Sequence, residues 1–291
     1  MNEKRNDTIL QAENIQKYYG VRGNLVKAVD RISFEVKKGE FLGIMGASGS
    51  GKTTLLNCIS TIDTVTGGHI YVEGQDVTAL KGSRLAGFRG RKLGFIFQDF
   101  NLLDTLTARE NIALPLSVSG TKPAKITKRV EQTAEALNIT DVLDKFPWEM
   151  SGGQQQRVAA ARAVVTDPAL ILADEPTGSL DSGSSRMLLN LLGDLNRRLG
   201  ATILMVTHDA YTASCCRRIL FIRDERIFRE LRRGTDSRAG FFTRILETVS
   251  EMGGEQDDLM QADPPQRAET YPGLSRLFPD ADDLRQSVLR L

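Results

Sequence analysis

Residues 46–54 read G-A-S-G-S-G-K-T-T, and this stretch limits the folds open to the chain more than any other. It follows the apolar Phe41-Leu42-Gly43-Ile44-Met45 and precedes Leu55-Leu56-Asn57-Cys58-Ile59, the pattern of strand, glycine loop and helix. Gly46, Gly49 and Gly51, with Ser48 and Ser50 among them, let backbone N–H groups turn inward around phosphate oxygens. A helix that begins near Lys52 adds its positive N-terminal end. Lys52 then reaches the β- and γ-phosphates, the Thr53 hydroxyl can ligate Mg²⁺, and Thr54 completes the motif. A plain turn between strand and helix needs neither Lys52 nor Thr53. The stretch points to a nucleotide-phosphate site.

Bulk properties narrow the class. The 291 residues are 41% hydrophobic and 26% charged, ordinary for a globular chain, and a net charge of +1 calls for no nucleic acid. No apolar run approaches the ~18 residues of a membrane helix. Polar residues 1–7 lack the apolar core of a secretory signal. Cys58, Cys215 and Cys216 have no metal-like spacing, which fits a reduced, cytosolic setting. If such a chain serves a membrane, it borrows the span from another chain.

Along the chain, residues 9–15 read as a first strand, followed by Lys17-Tyr18-Tyr19-Gly20, and residues 29–36 as a second. A tyrosine upstream of a nucleotide loop can stack on a base or simply pack at a strand edge, and composition leaves both open. Residues 70–74 suggest a hairpin strand. Residues 93–98 form a strand ending in the amide of Gln98, and a loop then enters a helix at Thr107. Residues 121–137 are amphipathic and helical. Ser151 can cap a helix over 152–163, whose paired glycines Gly152 and Gly153 bare its first N–H groups beside Gln154.

Residues 169–176 form a short apolar run ending in Asp174-Glu175-Pro176, suited to a strand buried on both faces. An acid at its carboxyl end, Asp174, would face the phosphate loop and hold Mg²⁺, while Glu175 would point elsewhere, toward a water. Asp181 lies in a cap for a helix reaching about Leu199. Residues 201–209 form another buried strand ending in His208, level with Asp174. Phe241, Phe242, Ile245, Leu246, Val249 and Met252 recur at helical spacing. Residues 255–291 carry eight acidic and four basic residues, net −4, against 34 basic and 29 acidic for residues 1–254. With its prolines, that tail reads as flexible.

In this order the loop at 46–54, Met150-Ser151-Gly152-Gly153-Gln154, Asp174-Glu175 and His208 resemble an ABC-transporter ATP-binding subunit over about residues 8–254. The resemblance implies an α/β P-loop NTPase fold of ABC type, with a mostly parallel core sheet, an N-terminal antiparallel β subdomain and an α-helical subdomain at about 99–160. It implies a nucleotide-binding domain over 1–240, an amphipathic helix over 241–254 and the acidic tail at 255–291. Tyr19 matches the adenine-stacking aromatic, and Gln98 the glutamine that senses Mg²⁺ and the attacking water. Residues Ser151 to Gln154 match the signature that binds the partner copy's ATP. Asp174 matches the Mg²⁺ acid, Glu175 the general base, Asp181 a dimer-contact aspartate, and His208 the γ-phosphate sensor. Met150 departs from the usual leucine, an apolar exchange of little consequence.

The same resemblance implies ATP and Mg²⁺ as cofactors and a second copy of the chain closing over the nucleotide. It also implies a membrane permease docked near residues 99–111 and a peripheral place at the cytoplasmic face of the membrane. Residues 55–63, 97–103 and 172–178 look like the macrolide-export and lipoprotein-release class. Within it, Ser60-Thr61-Ile62-Asp63 and the 241–254 helix look like bacitracin-type antimicrobial-peptide resistance transporters, some coupled to a membrane sensor kinase. The alternatives are lipoprotein release, macrolide export, or a mechanical clamp in cell-wall or division control that transports nothing. Soluble ABC ATPases of DNA repair or translation fit poorly, because the chain has one nucleotide site and no long coiled-coil insertion.

Overall fold

The computed structural model describes residues 7–20, 24–97 and 100–253. Gln98 and the acidic tail at 255–291 lie outside the described residues. In chain order the elements are β1 (Thr8–Tyr19), β2 (Val26–Lys37), β3 (Phe41–Met45), α1 (Lys52–Ile59), β4 (Gly67–Val72), β5 (Gln75–Asp76), α2 (Gly82–Lys92) and β6 (Leu93–Ile96). There follow α3 (Ala108–Val118), α4 (Pro123–Ala136), α5 (Gly152–Val164), β7 (Leu170–Asp174), α6 (Ser182–Leu199), β8 (Ile203–Thr207), α7 (Ala210–Ala213), β9 (Arg218–Arg223), β10 (Arg226–Arg232) and α8 (Arg238–Glu251).

A six-stranded sheet in the order β10-β9-β3-β8-β7-β6 forms the centre, parallel except where β10 pairs antiparallel with β9. Its strands are short apolar runs because both faces are covered. The period of two sorts their side chains into two cores. Phe41, Met45, Ile171, Ala173, Ile203, Met205, Ile219 and Phe221 join the helices α3, α5 and α6 on one side. Leu42, Ile44, Leu170, Leu172, Leu204, Val206, Leu220 and Ile222 face α1 and the antiparallel sheet β2-β1-β4-β5 on the other. Burying each such aliphatic side chain contributes about 1.5–3 kcal/mol, so a one-residue slip in any of these strands would exchange the contents of both cores.

Two close approaches fix the layers. A Cβ on Gly94 of β6 would lie 2.2 Å from the Ala163 carbonyl oxygen, so only glycine lets α5 lie that near the sheet. Between the sheets, Asp30 of β2 accepts from Arg226 of β10 at 2.5 Å, and within its own sheet it accepts from the Tyr18 hydroxyl of β1 at 2.9 Å. The last helix starts at Arg238, earlier than residue 241, because the Ser237 hydroxyl caps it by accepting from the Gly240 N–H.

Candidate functional site

The carboxyl ends of β3, β8, β7 and β6 stand side by side on one edge of the sheet. Parallel register sets Met45 against Thr207, Asp174 against Val206, and Ile96 against Ala173. The residues that leave these ends are the phosphate loop, His208, the Asp174-Glu175 pair and the segment leading to Gln98. Four distant stretches of sequence therefore converge on one crevice, the usual ligand position in a parallel α/β sheet.

The loop is built for a bulky anion. Gly51 has φ +92°, and a Cβ there would come within 1.9 Å of the Ala28 carbonyl oxygen, so no larger residue fits. A Cβ on Gly46 would meet the Ile222 carbonyl oxygen at 2.4 Å and Ser50 Oγ at 2.5 Å. Gly49, at φ +78°, faces open space, and Ser48 beside it is exposed. Lys52 is buried and donates to the Gly46 and Ala47 carbonyl oxygens, each at 2.9 Å. Burial lowers its pKa, while the charges of Glu175 and Asp174 oppose that shift. Among the described residues, the buried Ser50 Oγ has no hydrogen-bond partner. Lysine and serine held this way suit phosphate oxygens arriving from outside.

Thr53 is exposed, and its hydroxyl donates to Asp174 Oδ1 at 3.3 Å. These two hard oxygen ligands stand where a magnesium ion carried on a triphosphate would be held, and the donor set fits that ion. Burial raises the Asp174 pKa, with the Thr53 hydrogen bond pulling the other way. Glu175 pairs with His208 rather than with Thr53. Its backbone sits in the left-handed region at φ 43°, its N–H donates to the Val206 carbonyl at 3.0 Å, and Oε1 lies 2.9 Å from His208 Nδ1. The His208 N–H adds a bond to Oε2 at 3.3 Å. The Glu175 hydrogen bond raises the His208 pKa against the effect of burial.

Tyr19 closes β1 and is 42% exposed. Its hydroxyl donates to Asp63 Oδ2 at 2.7 Å. The ring is thereby tied to the helix that starts at Lys52.

Ser151, Gly152, Gly153 and Gln154 open α5 elsewhere. Ser151 Oγ accepts from the Gln154 N–H at 3.3 Å while Gln154 Oε1 accepts from the Ser151 N–H at 2.9 Å, a reciprocal capping box. Among the described residues, no hydrogen bond or ion pair joins this corner to the phosphate loop. Asp181 caps α6 by accepting from the N–H groups of Gly183 and Ser184, each at 2.9 Å. A Cβ on Gly153 would sit 3.1 Å from Ser184 Oγ, so the starts of α5 and α6 lie together. Ser151, Gly152 and Asp181 are all exposed. Gln156 reaches back from α5 to the Pro176 carbonyl at 3.2 Å, next to Glu175.

Sequence reasoning overlooked the residues that hold these groups. Arg162 donates to the Phe100 carbonyl at 2.8 Å and to that of Asn101, both residues at positive φ, bracing the chain just after Gln98. Buried Asn111 accepts from the Leu103 N–H and donates to the Leu103, Leu106 and Thr107 carbonyls, shaping residues 103–107. Lys17 and Asp63 support Tyr19. Arg162 and Asn111 stand in helices as ordinary polar residues, and nothing in the local pattern marks them.

Comparison with known proteins agrees with this geometry. Residues 29–178 match a family described as "ABC transporter". Over 250 residues the chain is 51% identical to the bacitracin export ATP-binding protein BceA of Halalkalibacterium halodurans, covering 86% of this chain and 99% of that protein. It is 39% identical over 254 residues to the macrolide export ATP-binding/permease protein MacB of Aggregatibacter actinomycetemcomitans, covering 87% of this chain but 39% of that longer protein. Among solved structures it resembles the ATP-binding cassette MJ0796 in a dimeric post-hydrolysis state bound to ADP and Pi. There the TM-score is 0.70 at 37% identity, over 77% of this chain and 98% of that one.

Proposed function

Since the chain belongs to the ABC transporter family and is one of its ATPases, we propose that it powers a membrane permease that removes a bacitracin-type antimicrobial peptide. One observation carries the ATPase mechanism: the buried Lys52, the Thr53–Asp174 pair at 3.3 Å and the Glu175–His208 pair at 2.9 Å share one sheet edge. The BceA relative, matched along nearly its whole length, supports the peptide reading.

The assignment of roles follows from the chemistry of each group. Tyr19 stacks on adenine. The loop N–H groups of residues 46–51 and Lys52 hold the β- and γ-phosphates, with Ser50 Oγ as a further donor. Thr53 and Asp174, together with Gln98 as the family resemblance implies, would hold Mg²⁺, which when bound would neutralise charge on the terminal phosphates. Glu175 accepts a proton from the attacking water, and His208 leaves Glu175 to contact the γ-phosphate. No covalent intermediate is needed, because phosphoryl transfer depends mainly on positioning and charge.

The Ser151-Gly152-Gly153-Gln154 corner, exposed at Ser151 and Gly152, and Asp181 are assigned to a second copy's ATP. They lie apart from this chain's own phosphate loop yet present bare N–H groups at a helix start. ATP then joins two copies, and loss of the γ-phosphate contacts loosens them. The dimeric MJ0796 structure supports such an arrangement. No described helix is long and apolar enough to cross a membrane. The permease is assigned to residues 99–111, which places the chain peripherally at the cytoplasmic face. A sensor kinase reached through the permease rests on the bacitracin-type resemblance alone. The functional division remains a nucleotide-binding domain over 1–240 with its helical part at 99–160, followed by the 241–254 helix and the 255–291 tail.

The test is reconstitution in vesicles with the permease that copurifies with the chain. Bacitracin-type peptide should stimulate ATP turnover and leave the membrane face where it was added. Turnover stimulated by a macrolide or lipoprotein instead would favour the MacB-like reading. Turnover without relocation of any substrate would favour a mechanical clamp.

A further inference from the structure

The assignment of Tyr19 as the base platform leaves a mechanical problem, since a tyrosine 42% exposed at a strand end is free to turn about two side-chain bonds. An unfixed ring gives up part of its stacking energy to conformational entropy. Here the ring is fixed by residues far from it in sequence. Asp63 Oδ2 accepts from the Tyr19 hydroxyl at 2.7 Å, while Asp63 Oδ1 accepts from Lys17 Nζ at 2.6 Å and from the Thr64 N–H at 2.7 Å. Lys17 Nζ also donates to the Thr64 carbonyl at 2.8 Å and stands 4.7 Å from the centre of the Tyr19 ring. Lys17 is itself buried, and its ammonium donates to both Asp63 and the Thr64 carbonyl.

The anchor belongs to the phosphate-binding helix. Asp63 lies in the turn that ends α1, where its N–H donates to the Asn57 carbonyl at 3.0 Å. Resting on the base-platform assignment of Tyr19, we propose that Asp63 and Lys17 are positioning residues that lock the Tyr19 ring onto α1. The ammonium takes one face of the ring and leaves the opposite face to the nucleobase. Base platform and phosphate cradle are then one rigid unit, and the distance between them is set before the nucleotide arrives.

The test is a double-mutant cycle on the full chain, with Tyr19→Phe, Asp63→Ala and their combination, alongside Tyr19→Ala. Dissociation constants are measured for ATP and for inorganic tripolyphosphate, which has no base. Tyr19→Phe and Asp63→Ala should each weaken ATP about fivefold, the worth of one hydrogen bond. The double variant should be no weaker than Asp63→Ala alone, and tripolyphosphate affinity should stay the same in all four. Tyr19→Phe keeps the Lys17–Asp63 pair, so it reports on the tether even if Asp63→Ala lowers the melting temperature. Normal ATP affinity in Tyr19→Phe, multiplying losses in the double variant, or parallel loss of tripolyphosphate would each overturn the positioning role. Normal ATP affinity in Tyr19→Ala would overturn the stacking assignment itself, and the proposal with it.

Discussion

Glu175 Oε1 lies 2.9 Å from His208 Nδ1, so the proposed base and the proposed γ-phosphate sensor hold each other. The two sit at the ends of neighbouring strands β7 and β8, and the His208 N–H reinforces the contact at 3.3 Å. A carboxylate occupied by an imidazole is not free to take a proton from water. Under the proposed roles the contact is a resting arrangement, from which an arriving γ-phosphate would draw His208 away.

Replacing Glu175 by Gln removes proton acceptance while keeping shape. Hydrolysis should slow by about 10²–10⁴-fold, with ATP binding intact and dimers accumulating in ATP. Size-exclusion chromatography and phosphate release measure the two effects together. Wild-type turnover would remove Glu175 from the role of base.

Lys52→Ala acts on binding. A buried ammonium bonded to Gly46 and Ala47 carbonyls is poised to move onto phosphate oxygens. ATP affinity should fall about tenfold to a hundredfold, the worth of a charge-assisted hydrogen bond. Equilibrium binding of a fluorescent ATP analogue checks this, and undiminished affinity would count against the cradle.

The Glu175–His208 contact also has a pH signature. The hydrogen bond raises the folded His208 pKa above its ordinary 6.5. A group raised on folding contributes stability that is fully present below the unfolded pKa and is lost as pH rises through the folded one. The melting temperature of wild type should therefore exceed that of His208→Gln most on the acidic side of 6.5, with the gap narrowing in alkali. A gap independent of pH would mean that the pair is not ionised in the resting protein.

The sole tryptophan, Trp148, is 65% exposed and stacks on Phe146 with ring centres 4.6 Å apart. It lies just after residues 143 and 145, whose carbonyls accept from the N–H groups of Arg109 and Ala108 at the start of α3. Docking of the permease on residues 99–111 should shift Trp148 emission to the blue. Unchanged emission in a stable complex would place the permease on another face.

The site was legible where the chemistry is local. The phosphate loop, the apolar runs of β3, β7 and β8 and the Ser151 cap are each written within a dozen consecutive residues. The β9–β10 hairpin was not, because seven arginines at 217–233 hide its alternation. Its turn also uses Asp224 and Glu225 at φ 50° and 60° in place of the usual Asn-Gly. The helix α2 escaped for a different reason: three glycines and one buried apolar residue, Phe88, give it neither propensity nor a stripe. Arg162 and the Asp63–Tyr19 tether act across tens of residues, and no periodicity reports a contact of that range; Asn111 reaches back only four to eight residues, but into an irregular loop with no repeating pattern.

The composite pocket is tested most directly by cysteines at Ser50 and Gly152 in the Glu175→Gln background, with the permease supplied. Of the native thiols, Cys58 and Cys216 are buried, with burial pushing the Cys58 pKa up to about 12, and the half-buried Cys215 is replaced by Ser. A crosslink between two copies that requires ATP and Mg²⁺ is the predicted result. Copies that bind ATP yet never crosslink in its presence would contradict a nucleotide shared between two chains.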